Sequence, residues 1–159
     1  MEIDVQIDAA FAGDLSEDWV RDVAGLVLQA QKVLPNTEVG LVIADDDMVA
    51  DLNQRYRGKE GTTDVLSFAM TEGEAFVVPP DGTLRLGDVV ISCPQARRQA
   101  QELGHSLQEE VARLLAHGVL HLLGYDHQEP AQRARMRRRE RTIMTLLEKR
   151  WAGRSAAAS

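Results

Sequence analysis

The segment "SLQEEVARLLAHGVLHLLGYDH", residues 106–127, constrains the fold more than any other part of the chain. It opens on a capping box, in which Ser106 and Glu109 satisfy each other's backbone donors. It closes on Gly124, a residue that can leave a helix through left-handed dihedrals. Between these marks, Val119-Leu120 and Leu122-Leu123 read as core. Into this core helix the chain sets His117 and His121, and His127 follows the glycine. Three of the four histidines thus fall within residues 117–127.

Histidines four apart share a helical face, about 6 Å apart along the axis. Two imidazoles so placed can converge on one ion, and a turn at Gly124 lets His127 fold back toward them. The spacing His-x3-His-x5-His, with glycine three after the second histidine, matches the metzincin metalloprotease pattern. One histidine on a helix is more often core or surface than ligand, and a pair at i,i+4 is a weak signal. Three at this spacing, in a chain whose one other histidine is His105, point to a metal. Three neutral imidazoles leave a coordination position open, as catalytic zinc sites do. Zinc is the first expectation, although imidazole also suits iron, nickel and copper.

The metalloproteases place a glutamate after the first histidine as general base. Here that residue is Gly118, which can neither accept nor donate a proton through a side chain. The metal geometry is metzincin-like, but the chemistry is not ordinary peptide hydrolysis. A metal at such a site can still lower the pKa of water and polarise a phosphoryl oxygen. Glu110 shares the His117 face but lies two turns away, about 10 Å, which makes it a poor ligand. Asp126 reads either as a partner that orients a histidine or as a turn-stabilising aspartate.

The chain of 159 residues is one domain in length, and 44% of it is apolar, enough for a real core. A single cysteine, Cys93, excludes an internal disulfide and suits a reducing compartment. Cys93 precedes a helix start with no histidine nearby in sequence, and reads as a buried structural thiol. "MEIDVQID" lacks the basic and apolar regions of a signal peptide, and no apolar run reaches the ~18 residues of a membrane span. A soluble, cytoplasmic protein without a membrane partner is expected. The net charge of −7 is unevenly distributed. Residues 1–56 carry 12 acids and 3 bases, residues 57–130 carry 11 and 6, and residues 131–159 carry 2 and 9. The basic end, with Arg133, Arg135, Arg137, Arg138, Arg139 and Arg141 in "RARMRRRERT", reads equally as a footprint for a polyanion or as solvated helix. With 4% aromatic residues overall, base stacking on that helix is not indicated.

Along the chain, "EIDVQID", "TEVGLVIAD", "DVLSFAM" and "LRLGDVVIS" read as strands. Helices are predicted after Ser16 (face Trp19, Val23, Leu26, Val27), over "DDDMVADLNQRYR" (side Met48, Leu52, Tyr56), over "CPQARRQAQELG" ending on Gly104, over the histidine segment, and from about Pro130 to Trp151 (stripe Met136, Ile143, Leu147, Trp151). "TEGEAFVVPPDGT" reads as a long surface connection with an Asp81-Gly82 turn. His105 reads as a loop residue after Gly104. These elements predict an α+β fold, a small mixed sheet of about four strands packed with about five helices. A single domain is expected over residues 1–151, with 152–159 a disordered tail.

"HGVLHLLGYDH" resembles the signature of the YbeY family, bacterial ribosomal-RNA maturation factors and endoribonucleases. "LNQRYRGKEGTTDVLSF" (52–68) and "LGDVVIS" (86–92) resemble two further family segments in the same order, so the likeness spans most of residues 38–130. Thr62 and Ala69 depart from it at places where the family commonly has proline, which bears on local backbone shape. The resemblance implies an α+β fold and one zinc on His117, His121 and His127. It also implies a functional arginine at Arg57. The implied activity is single-strand-specific endonucleolytic cleavage in ribosomal RNA maturation, at the 3′ end of small-subunit RNA, and in ribosome quality control. Implied partners are ribosomal RNA and its precursors, with ribosomal small-subunit proteins or assembly GTPases. Physically, a guanidinium suits bidentate phosphate binding and transition-state charge. From sequence alone, however, a surface salt bridge to Glu60 or Asp64 is the stronger reading of Arg57, and it is the resemblance that reverses the order. Two other classes compete with the nuclease: a metzincin-like peptidase or amidase, against which Gly118 stands, and a non-catalytic assembly factor whose metal is structural.

Overall fold

Alternating apolar residues build four strands: β1 (Glu2–Ile7), β2 (Thr37–Ala44), β3 (Val65–Ala69) and β4 (Leu84–Ser92). They form one mixed sheet in the order β1-β2-β4-β3. β1 and β4 both run parallel to β2, and β3 is the antiparallel edge. The helices are α1 (Glu17–Ala30), α2 (Asp46–Arg57), α3 (Cys93–Leu103), α4 (Leu107–Leu122) and α5 (Pro130–Ala158). The computed structural model describes residues 1–70, 84–125 and 128–158, with side chains through Trp151. The expected surface connection with its Asp81-Gly82 turn lies outside the described residues, as do Asp126 and His127. The α+β expectation holds.

The period of two divides each strand between two cores. Leu41, Ile43, Val89 and Ile91 face the main core, shared with α1, α4 and α5. Ala44, Leu66 and Val90 face a smaller one, closed by Val49 of α2. Both sides of the sheet are therefore covered, as its parallel strands require.

Serines start α1 and α4 as expected. The Ser16 hydroxyl accepts from the Trp19 amide at 3.1 Å, and that of Ser106 accepts from the Glu109 amide at 3.1 Å. The buried faces of the first two helices differ from expectation. α1 buries Val20, Val23, Ala24, Val27 and Leu28, while Trp19 and Leu26 sit half-buried at its margin. There Trp19 stacks on Trp151 at 6.3 Å. α2 turns Val49 and Asn53 inward and leaves Met48 and Tyr56 exposed. The small sheet face accepts valine better than two bulky side chains. Asn53 is buried because its amide donates to the Gly61 carbonyl at 3.0 Å, a partner that helical periodicity cannot reveal.

The stripe of α5 is as predicted: Met136, Ile143 and Leu147 are buried and Trp151 packs against them. Its backbone stays helical to Ala158, beyond the end expected at Trp151, in a segment rich in alanine, the strongest helix former. Among the described residues, no helix is long and apolar enough to cross a membrane.

Candidate active site

α4 packs on nearly all sides, but one stripe of it is polar. Glu110, Arg113, His117 and His121 recur at helical spacing along that stripe. The rings of His117 and His121 lie 4.8 Å apart, inclined at 75°. His117 Nδ1 donates to Glu140 Oε1 of α5 at 2.5 Å. Sequence reasoning missed Glu140, although a signal exists. It is the one acid in "RARMRRRERT", and it falls between Met136 and Ile143 on the apolar stripe. An acid at a core-facing position of an arginine-rich helix calls for a partner. The bond places a proton on Nδ1 and orients the ring, so that Nε2 is the atom turned toward a ligand.

The turn after α4 is tightly held. Gly124, at φ +98°, allows its own amide to reach the His121 carbonyl and the Tyr125 amide to reach that of Leu120, each at 3.0 Å. Tyr125 is then clamped. Gln31, just past the end of α1, donates to its hydroxyl at 3.2 Å, and the Arg135 guanidinium of α5 lies 5.1 Å above its ring. The predicted third ligand, His127, lies outside the described residues. Tyr125 and Gln128, the described residues that flank 126–127, both line the cleft that holds His117 and His121. Among the described residues no three potential ligands converge.

Gly118 is accounted for by packing. A Cβ there would lie 2.5 Å from Val89 Cγ1 and 3.3 Å from Ser67 Oγ. Val89 is fully buried on β4. The position that carries the general base in metalloproteases here faces the sheet at a spacing that excludes any side chain.

The opposite wall of the cleft, a space of ≈ 750 Å³, carries Arg57 at the end of α2. Its guanidinium donates to the Ser67 carbonyl of edge strand β3 at 2.7 Å. The Ser67 hydroxyl in turn donates to the Gly118 carbonyl at 3.2 Å. Two hydrogen bonds thus connect Arg57 to the residue following His117. The alternative salt bridges do not form among the described residues. Asp64 instead accepts from the Val65 amide at 2.8 Å and from Gln99 at 3.4 Å. The loop after Arg57 is anchored on Asp46, which accepts from Ser92 at 2.7 Å, Arg98 at 2.8 Å and Thr62 at 3.3 Å. Burial opposes charge on Asp46, but the bonds from Ser92 and Arg98 outweigh it and hold the carboxyl below its ordinary value. Thr62, one of the departures from the family pattern, thus anchors the loop through its hydroxyl.

Glu110 is fully engaged elsewhere. It accepts from Arg113 at 2.6 and 2.9 Å and from Gln99 at 2.7 Å, and pairs with His105 at 2.9 Å. It is no ligand, and His105, in the loop between α3 and α4 as expected, is half-buried against it. Cys93 is buried as expected, and burial pushes its thiol pKa up.

A four-stranded mixed sheet over a histidine-bearing helix, with a cleft between that helix and the edge strand, defines an α+β domain already known in solved structures. A protein of Thermotoga maritima with a structure determined in solution shares it, with a TM-score of 0.65 over 99% of this chain and 96% of that one, at 20% identity. Residues 3–148 match the family described as Endoribonuclease YbeY, and the chain belongs to that family. Curated relatives bearing the name endoribonuclease YbeY include one from Pelotomaculum thermopropionicum, 49% identical over 143 residues and 90% of each chain. Another, from Chloroflexus aurantiacus, is 47% identical over 147 residues, covering 91% of this chain and 94% of its own. A third, from Dehalococcoides mccartyi, is 44% identical over 145 residues, 86% and 84% of the two chains.

Proposed function

We propose that this protein is a metal-dependent, single-strand-specific endoribonuclease of ribosomal RNA maturation. It would act in the cytoplasm at the 3′ end of small-subunit RNA and in ribosome quality control, alongside ribosomal small-subunit proteins or assembly GTPases. The observation that carries the reading is the Arg57–Ser67–Gly118 connection, which sets a guanidinium with no ion pair among the described residues on the same cleft as two imidazoles.

The donor set fits a zinc ion. His117 and His121 offer imidazoles on one face, Glu140 orients the first through its Nδ1, and His127 is the third ligand by spacing. Zinc held there supplies Lewis acidity toward a phosphoryl oxygen and acidifies water. The protein's own groups do the rest. Arg57 binds the phosphate and stabilises charge that builds up as the phosphorus is attacked. The Ser67 carbonyl fixes one arm of the guanidinium, which leaves its other N–H groups for the substrate. Glu140 keeps a proton on His117 Nδ1. Position 118 contributes no proton transfer, which separates this site from the peptidases.

The test uses a labelled unstructured RNA and the same RNA annealed to its complement. The expected result is internal cleavage of the single strand alone, abolished by a chelator and restored by zinc. Cleavage indifferent to chelation would refute the metal-dependent reading.

A further inference from the structure

The arginines of "RARMRRRERT" do not play one role. Arg139 donates to the Gln31 side chain and to the Ala30 carbonyl of α1, the latter at 3.2 Å. Arg135 covers Tyr125. Arg133, Arg137, Arg138 and Arg141 are exposed and form no ion pair among the described residues. Elsewhere the contrast is sharp. Arg21, Arg55, Arg85, Arg97, Arg98, Arg113 and Arg150 each sit within 4 Å of a carboxylate. In a chain of net charge −7, the guanidinium groups without an ion pair among the described residues are thus concentrated on α5 and at Arg57.

The packing around α4 shows where these groups face. Gly118 abuts Val89 and Ser67, so the sheet covers that side. α3, α1 and α5 pack on its other sides, and Glu140 places α5 at His117. His117 and His121 occupy the sector left between α5 and β3. Because Arg139 ties one flank of α5 to α1, the other flank borders that sector. Arg133, Arg137 and Arg141 lie on it at successive turns, about 12 Å along the helix. Arg138 points away, opposite the buried stripe.

We propose that Arg133, Arg137 and Arg141, which stand outside the residues lining the cleft, form a phosphate-binding wall beside it, across from Arg57 and Lys59, which holds the backbone of the RNA strand as it leaves the cleft. The inference rests on the RNA-cleaving reading. Guanidinium groups repeating about every 6 Å suit a ligand with a regularly repeated anion. A protein partner would call for an apolar anchor among them. The one exposed large hydrophobic of α5 among the described residues, Leu146, lies on the Arg139 flank instead. Residues 1–130 carry 23 acids against 9 bases, and repel a polyanion unless a local basic wall overcomes that field.

The test is binding of a non-cleavable 2′-O-methyl RNA, followed by fluorescence anisotropy across a series of KCl concentrations. Each single-strand phosphate contact contributes about 0.7 to the slope of log affinity against log salt. The triple variant Arg133→Gln/Arg137→Gln/Arg141→Gln should therefore flatten the slope by about 2 and bind about 100-fold more weakly at ~0.1 M salt. In cleavage assays its KM should rise while kcat holds. The triple Arg→Lys variant should keep the wild-type slope, and Arg138→Gln should leave it unchanged. An unaltered slope in the Gln triple, with normal binding by wild type, would overturn the wall and leave the nuclease reading standing. An equal loss in Arg138→Gln would also overturn it. Failure of wild type to bind this RNA at all would overturn both.

Discussion

Replacing Gly118 by alanine probes the packing that removes the usual catalytic acid. The new Cβ would stand 2.5 Å from Val89 Cγ1, whereas carbon atoms rest at about 3.5–4.0 Å. Roughly 1 Å must be found by lifting α4 from β4 or by rotating Val89. Val89 is β-branched and fully buried, so its rotation is restricted. Overpacking of this kind costs about 1–3 kcal/mol. Alanine recovers about 1 kcal/mol of helix propensity. The net expectation is destabilisation by about 1 kcal/mol, read from urea denaturation. The decisive quantity is the coupling to Val89→Ala, which removes both methyl groups that clash. The double variant should be more stable than the sum of the singles by about 1–3 kcal/mol. Gly118→Ala as stable as wild type or more so, with no coupling to Val89→Ala, would refute the steric argument.

Further outcomes follow from the same contacts. Glu140→Gln should weaken zinc binding by about 10–100-fold, measured by competition with a chromophoric chelator, and an unchanged affinity would remove Glu140 from the metal site. Arg57→Ala should lower kcat on single-stranded RNA by about 10²–10³-fold with the fold intact, and a change within about twofold would assign catalysis elsewhere. Burial opposes charge on Glu110, but its bonds from Arg113 and Gln99 prevail and hold its carboxyl below the ordinary glutamate value. A depressed folded-state pKa means that this stabilisation is complete above the unfolded-state value, about 4.3, and is lost as pH falls through the folded one. Glu110→Gln should therefore cost about 2 kcal/mol at pH 7, a deficit that shrinks on acidification, and urea midpoints that track wild type at every pH would contradict this.

What could be read from sequence is what local rules determine. Ser16 and Ser106 announce helix starts, alternation marks the strands, and the histidine spacing stands out because the chain has so few histidines. The sequence pattern assigns α1 the face Trp19, Val23, Leu26 and Val27, of which the two valines are buried, and α2 the side Met48, Leu52 and Tyr56, of which Met48 and Tyr56 are exposed. The sheet instead selects by fit and admits Val20 and Val49 with a buried Asn53. Gly118 could be read as a missing base but not as a packing requirement, since Val89 lies on a strand distant in sequence. Glu140 belongs to a middle class. Its place in an apolar stripe was visible, but its partner His117 came only with the docking of α5.

The central claim is that the histidine cluster holds a metal required for RNA cleavage. Metal content and cleavage of precursor ribosomal RNA, measured on the same preparations of wild type and His121→Ala, test it most directly. The account predicts close to one zinc per wild-type chain, and loss of both metal and cleavage in a variant that remains folded. Cleavage at the wild-type rate by the metal-free variant would contradict it.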